Sequence, residues 1–393
     1  MEVSNIFYMA TALGVVVPVA SALDINSKNN VAVYYASLQP LTISGNNANP
    51  SNQGQGANQP RLSHFCQETS IDIINLGFIN FFPLAVSEWP GSNFGNQYNR
   101  TFYPDTELLE ECPQLWEDIP ICKAMGKTIM LSIGGVNSTD QDALADENAI
   151  WFADFLWYSF GPYNPSVKVF FPRPFGNAPV DGFDFDIENN GGSGYATMIN
   201  QLSLLYTQYP DQIFYISGAP QYDIPDKQLG NAIANAALDF IWVQFYNTQG
   251  CSARDFVHGT GHYNYAEWVD VLKNSKNPSA RLFVGLAAAE SAAKDGYYLS
   301  PLEVKTLCCC SLTYINARYK CDTYAKYLYL EIPFEFISFF RDNSNIEHLE
   351  YFFESLTYKC TALFFVGYFH VSCISPTQLY NPLQPARFFQ HAC

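Results

Sequence analysis

The stretch Asp181-Gly182-Phe183-Asp184-Phe185-Asp186-Ile187-Glu188 has a period of two. In an extended strand Phe183, Phe185 and Ile187 fall on one face, and Asp184, Asp186 and Glu188 on the other. Same-face neighbours on a strand lie roughly 6.6 Å apart. Three carboxylates at that spacing repel one another, and burying them for stability alone is unfavourable. The row makes sense if the charges are used. Close carboxylates cannot all ionise cheaply, so at least one is expected to hold a proton near neutral pH. Glu188, at the end of the row, is the candidate general acid: protonated, it can give its proton to a leaving oxygen. Two other readings stay open on the octet alone. Asp and Glu oxygens also bind Mg²⁺ or Ca²⁺, and an acidic edge strand can simply be solvated. The apolar opposite face speaks against the edge.

Around the octet, apolar β-rich runs alternate with helix-like stretches. Strands are expected at Asn30–Ser37, Ile71–Phe82, Lys127–Gly135, the octet itself, Ile213–Ala219, Phe240–Tyr246 and Arg281–Leu286. Helices are expected at Cys112–Met125, Ala149–Phe160 and Tyr195–Tyr209. Repeated βα units with apolar strands indicate a parallel sheet buried on both faces. Seven such units exceed a comfortable open sheet, so the expected fold is α/β, a TIM (β/α)₈ barrel. Functional side chains then project from the C-terminal ends of the strands. The eighth strand is the difficulty. Beyond Leu307 the only glycine is Gly367, no Trp follows Trp268, and Tyr, Phe and Cys become dense without clear periodicity. Tyr327–Ile332 and Ala362–Tyr368 are the two candidates to close the barrel. The expected division is 1–22 as a leader, 23–307 as the barrel through its seventh strand, and 308–393 as an atypical tail, poorly ordered.

The chain has 393 residues, 48% of them hydrophobic, and a net charge of −17. A sizeable core is available. The charge argues against nucleic acid or an anionic membrane surface as partner. At the N-terminus, Ile6 to Val19 is largely apolar but short for a bilayer, and Ala20-Ser21-Ala22 offers small residues for cleavage. This reads as a signal peptide and implies secretion. Asn99-Arg100-Thr101 and Asn137-Ser138-Thr139 are glycosylation sequons at Asn99 and Asn137. No later run is long enough for a transmembrane helix. The eleven cysteines show no paired CxxC spacing of a zinc site.

The octet and a second motif, Ser132-Ile133-Gly134-Gly135, together resemble a known family. The chain is similar to the glycoside hydrolase family 18 chitinases of the fungal and plant class III type. The octet matches their DGxDxDxE signature, and Ser132–Gly135 matches SxGG. Ser217–Gln221, Trp242–Asn247 and Gly285–Ala288 resemble further strands, so the likeness runs from about Val31 to Leu307.

What the resemblance implies is a secreted endochitinase that cleaves β-1,4 linkages between N-acetylglucosamine units. The family departs from the two-carboxylate scheme of most glycosidases by using the substrate's own acetamido group. By carry-over, Glu188 is acid and base, Asp186 holds the acetamide, Asp184 tunes Asp186, and the Tyr246 hydroxyl reaches the acetamido oxygen. Tyr35 and Asn247 are implied substrate contacts, Gln244 is implied either to touch the substrate or to stand behind a residue that does, and Ser132, Gly134 and Gly135 support the carboxylates. Cys66 and Cys122 resemble a family disulfide. Cys251 resembles half of another, with Tyr222 in its partner's place. No cofactor or metal is implied. The partner is chitin or its oligomers, with neither nucleic acid nor membrane, and the chain is expected to be a monomer. Two departures stand out. Tyr34-Tyr35-Ala36-Ser37-Leu38 replaces the family's YWGQN, and the tail lacks the Trp that the eighth strand usually presents. The alternative is a catalytically inactive chitin-binding relative.

Overall fold

A computed structural model describes residues 23–35 and 60–307, except 28–29, 69, 96–100, 136–137, 139–143, 168–169 and 190. Beyond Leu307 it describes only the strands at 336–340, 359–365 and 368–374. The leader, Asn99, Asn137, Tyr327–Ile332 and most of the tail lie outside the described residues.

Seven parallel strands follow one another in order: β1 (Val31–Tyr35), β2 (Ile73–Ile79), β3 (Thr128–Gly134), β4 (Gly182–Asp186), β5 (Tyr215–Gly218), β6 (Phe240–Gln244) and β7 (Arg281–Ala287). Helices stand between them: α1 (Leu62–Cys66), α2 (Pro113–Ala124), α3 (Asp146–Phe160), α4 (Tyr195–Tyr206), α5 (Gly230–Asn235), α6 (Ala253–Val257) and α7 (Tyr265–Lys273). The expected barrel is therefore the fold. One element departs from it. Strand β8 (Phe336–Phe340) closes the barrel between β7 and β1, and it runs antiparallel to both. Neither candidate closing strand fills this place. Ala362–Tyr368 instead holds the last residues of β9 (Lys359–Phe365) and the first of β10 (Tyr368–Ile374), which form a separate two-stranded antiparallel sheet. An apolar tail without alternation gives no basis for choosing among such runs.

The helices cover the outer face of the sheet. On α3 the buried residues Ala149, Phe152, Ala153, Leu156 and Phe160 recur at helical spacing, and Asp146 and Glu147 stand in the first turn, where the helix dipole favours negative charge. Each large apolar side chain so covered contributes about 1.5–3 kcal/mol. Strand residues Phe183 and Phe185 face this layer, and the Phe185 ring meets Tyr195 of α4 edge to face. Cys66 and Cys122 are bonded, tying α1 to α2 across 56 residues of chain.

A repeated device fixes the lower rim. Asp72, Asp181 and Asp239 each stand one residue before an even-numbered strand. Asp72 N–H donates to the Val31 carbonyl (2.9 Å) while its Oδ2 accepts the Val31 N–H (2.7 Å). Asp181 makes the same pair of bonds with Ile129, at 2.6 and 2.9 Å, and Asp239 with Ile216, at 2.7 and 2.9 Å. Each aspartate carbonyl then accepts from the next strand, at Thr128, Tyr215 and Arg281. The carboxylates thus satisfy the first N–H of β1 and, one residue into the strand, an N–H of β3 and of β5.

Candidate active site

Strand β4 carries the site to the middle of the barrel. Gly182 makes this possible, because a Cβ there would lie 2.0 Å from the Tyr215 carbonyl oxygen. Asp184 points inward and is fully buried. Four side chains from four other strands donate to it. Oδ2 accepts from the hydroxyls of Tyr34 (2.6 Å) and Ser132 (2.6 Å). Oδ1 accepts from the Ser217 hydroxyl and from the indole N–H of Trp242 (2.7 Å). Burial pushes the Asp184 carboxyl above the ordinary range, and the four donors pull the other way. With two donors on each oxygen, a cation could bind Asp184 only by displacing them, so the site does not favour the metal reading of the octet.

Asp186 comes next along the same face and is 3% exposed. Its Oδ1 accepts the Gln244 side-chain N–H at 2.9 Å. Its backbone carbonyl accepts the Gly135 N–H at 2.8 Å. Gly134 has φ of +105°, and a Cβ there would lie 2.0 Å from the same carbonyl oxygen. The two glycines therefore let β3 press against the end of β4. Glu188 lies two residues beyond the strand and is half-buried. Exposure rises along the row, from Asp184 to Asp186 to Glu188. Tyr246, also half-buried, follows β6. The Tyr34 hydroxyl is held neutral first by burial, then by Asp184, Asp186 and Tyr246, which places these groups in one neighbourhood.

The other expected site residues divide between the carboxylates and places away from them. Tyr35 is corrected: its hydroxyl donates to the Pro60 carbonyl (2.8 Å) and its ring packs on Phe65 of α1. Alternation sends Tyr34 inward and Tyr35 outward. Gln244 is buried against Asp186 and the Ala219 carbonyl, so it acts through Asp186. Asn247 has φ of +62°, and its side-chain oxygen accepts the Lys294 N–H at 2.7 Å, bracing the segment after β7. Ser132 touches Asp184 as a supporting residue would. Burial first, and then the neighbouring Cys251 thiol, hold the Tyr222 hydroxyl neutral. Tyr34, Ser217 and Trp242 belong to the site without having been assigned a role in it. Only the parity of their strands relative to the octet marks them.

This chain, with seven parallel strands and its carboxylates lined up toward the C-terminal end of the fourth, has an arrangement suited to a barrel glycosidase. It belongs to the glycosyl hydrolases family 18, whose model matches residues 32–355. Endochitinase A1 of Aspergillus fumigatus is 50% identical over 314 residues, covering 78% of this chain and 36% of the relative. The chain thus spans about a third of the length of such curated relatives. Among solved structures, a chitinase from Ipomoea carnea is 26% identical with a TM-score of 0.55, covering 76% of this chain and 97% of that one. The xylanase and α-amylase inhibitor protein of Scadoxus multiflorus is 25% identical with a TM-score of 0.56, covering 77% and 97%.

Proposed function

We propose that the protein is a secreted chitinase that cleaves β-1,4 links between N-acetylglucosamine units with retention at the anomeric carbon. The graded exposure of Asp184, Asp186 and Glu188 carries this reading. Of the three, Glu188 meets solvent most, so it is the one suited to touch a glycosidic oxygen. In the first step the Glu188 proton passes to that oxygen as its bond to C1 breaks. The carbonyl oxygen of the sugar's own acetamido group bonds to C1, forming an oxazolinium ion. Asp186 holds the acetamide N–H and balances the positive charge, and the Tyr246 hydroxyl donates to the acetamido oxygen. Water then attacks C1, gives its proton to Glu188 and reopens the ring. Asp184, locked by four donors, fixes the charge beside Asp186.

The apolar leader and the Cys66–Cys122 disulfide support an oxidising, extracytoplasmic location. A second reading, sugar binding without turnover, draws support from the tail, which lacks the Trp that the family's eighth strand usually presents. One experiment separates them. Hydrolysis of a soluble chitin oligomer by the wild type, abolished in Glu188→Gln with binding retained, supports the enzyme. Binding without hydrolysis by the wild type supports the second reading. Equal turnover by both forms would remove Glu188 as the acid.

A further inference from the structure

At the end of β4 the Asp186 carbonyl takes the Gly135 N–H. Glu188 lies beyond that point, yet a general acid must stand within hydrogen-bond reach of the oxygen it protonates. Gln228 supplies a hold on this segment. It sits in the loop between β5 and α5, and a buried carboxylate organises that loop. Asp226 is 5% exposed. Its Oδ2 accepts the Gln221 N–H (3.0 Å), and its Oδ1 accepts the N–H groups of Gln228 (2.9 Å) and Leu229 (2.5 Å). From this base the Gln228 side chain crosses to the segment that carries Glu188. Its Nε2 donates to the Glu188 carbonyl oxygen at 3.3 Å, and its Oε1 accepts the Gly191 N–H at 2.5 Å. The approach is close enough to exclude any side chain at 191. A Cβ on Gly191 would lie 2.0 Å from Oε1 and 2.4 Å from the Cα of Gln228. A glutamine has one donor and one acceptor end, and here each meets its complement on the same short segment.

We propose that Gln228 is a positioning residue that sets the reach of the Glu188 carboxyl by pinning the Glu188 carbonyl and the Gly191 N–H to the loop built on Asp226. The proposal rests on Glu188 being the acid and base. Misplacing a catalytic group by about 1 Å can lower the rate about a hundredfold, so the effect belongs in kcat.

Three variants test it. Gln228→Met keeps the length and removes both bonds. Its kcat should fall about 10- to 100-fold, with KM within about threefold and the melting temperature nearly unchanged. Gly191→Ala should reproduce that loss by expelling the glutamine, and the double variant should be no worse than the poorer single one. Gln228→Glu keeps an acceptor for Gly191 but turns a carboxylate oxygen toward the Glu188 carbonyl. Its kcat relative to wild type should recover as pH falls and the new carboxyl gains a proton to donate. A structural role alone gives no such recovery. Wild-type kcat in Gln228→Met, or a pH-independent deficit in Gln228→Glu, would overturn the proposal. Should Gln228→Met fail to melt cooperatively, the other two variants decide. If Glu188→Gln proves fully active, the reading beneath the proposal has failed instead.

Discussion

Trp242 donates its indole N–H to Asp184 at 2.7 Å, joining the sixth strand to the fourth through the middle of the barrel. An indole can only donate, so this bond favours the ionised carboxylate. In Trp242→Phe the carboxyl should move further toward its neutral form. The loss of a hydrogen bond to a charged group amounts to about 1.5–3 kcal/mol. Lost packing against Phe240 and Phe283 adds a part that does not depend on pH. Denaturant unfolding across pH separates the two. The deficit should grow as pH rises, and a flat deficit would mean that the indole serves packing alone.

The adjacent tyrosines should behave differently. Tyr34→Phe removes a donor from Asp184 and is expected to lower kcat, with a shift in the pH profile. Tyr35→Phe removes a bond to the Pro60 carbonyl and should lower stability by about 1 kcal/mol without touching turnover. Kinetics and melting of the two variants, side by side, check this. A larger kcat loss in Tyr35→Phe would reverse the assignment.

Asp239 gives a pH prediction. Burial pushes its carboxyl up to about 6, while the Ile216 N–H pulls the other way. A folded pKa above the unfolded one means that the native state binds more protons between about pH 4 and 6. Stability therefore rises as pH falls through this window, by at most about 2–3 kcal/mol from this group. Asp181, Asp184 and Asp226 are shifted in the same direction. Melting scans should show a more stable protein near pH 5 than near pH 7, and Asp239→Asn should flatten part of the slope. An unaltered slope would put the dependence elsewhere.

Cys66 and Cys122 close a long loop, and such a crosslink contributes about 2–4 kcal/mol. Replacing both by Ala should lower the unfolding free energy by that amount and leave the site geometry intact. Equal stability of the two forms would show that the packing of α1 on α2 suffices.

The octet could be read because one face of it is consistently apolar and the other consistently acidic, and only a strand sorts them so. The seven parallel strands were readable because each is a short apolar run set off by turns. What escaped has a physical cause. Strands buried on both faces carry no polar stripe, so nothing in Val31–Tyr35 alone says which tyrosine points inward. Gln228 escaped because its role depends on two loops meeting, and a lone glutamine in a loop carries no pattern. The closing strand escaped because the apolar residues after Leu307 fit several registers equally well. Its antiparallel direction has no signature in composition.

The aspartates at 72, 181 and 239 count by twos, each fastening an odd strand to the even strand after it. No aspartate side chain of this set crosses from β4 to β5. A chain divided in the segment between α4 and β5 would therefore leave every fastener whole, two on the first piece and one on the second. Asp184, Asp186 and Glu188 would go with the first piece, and Gln228, Trp242, Gln244 and Tyr246 with the second. The barrel thus has a natural parting line, and turnover would return only when the two halves find each other.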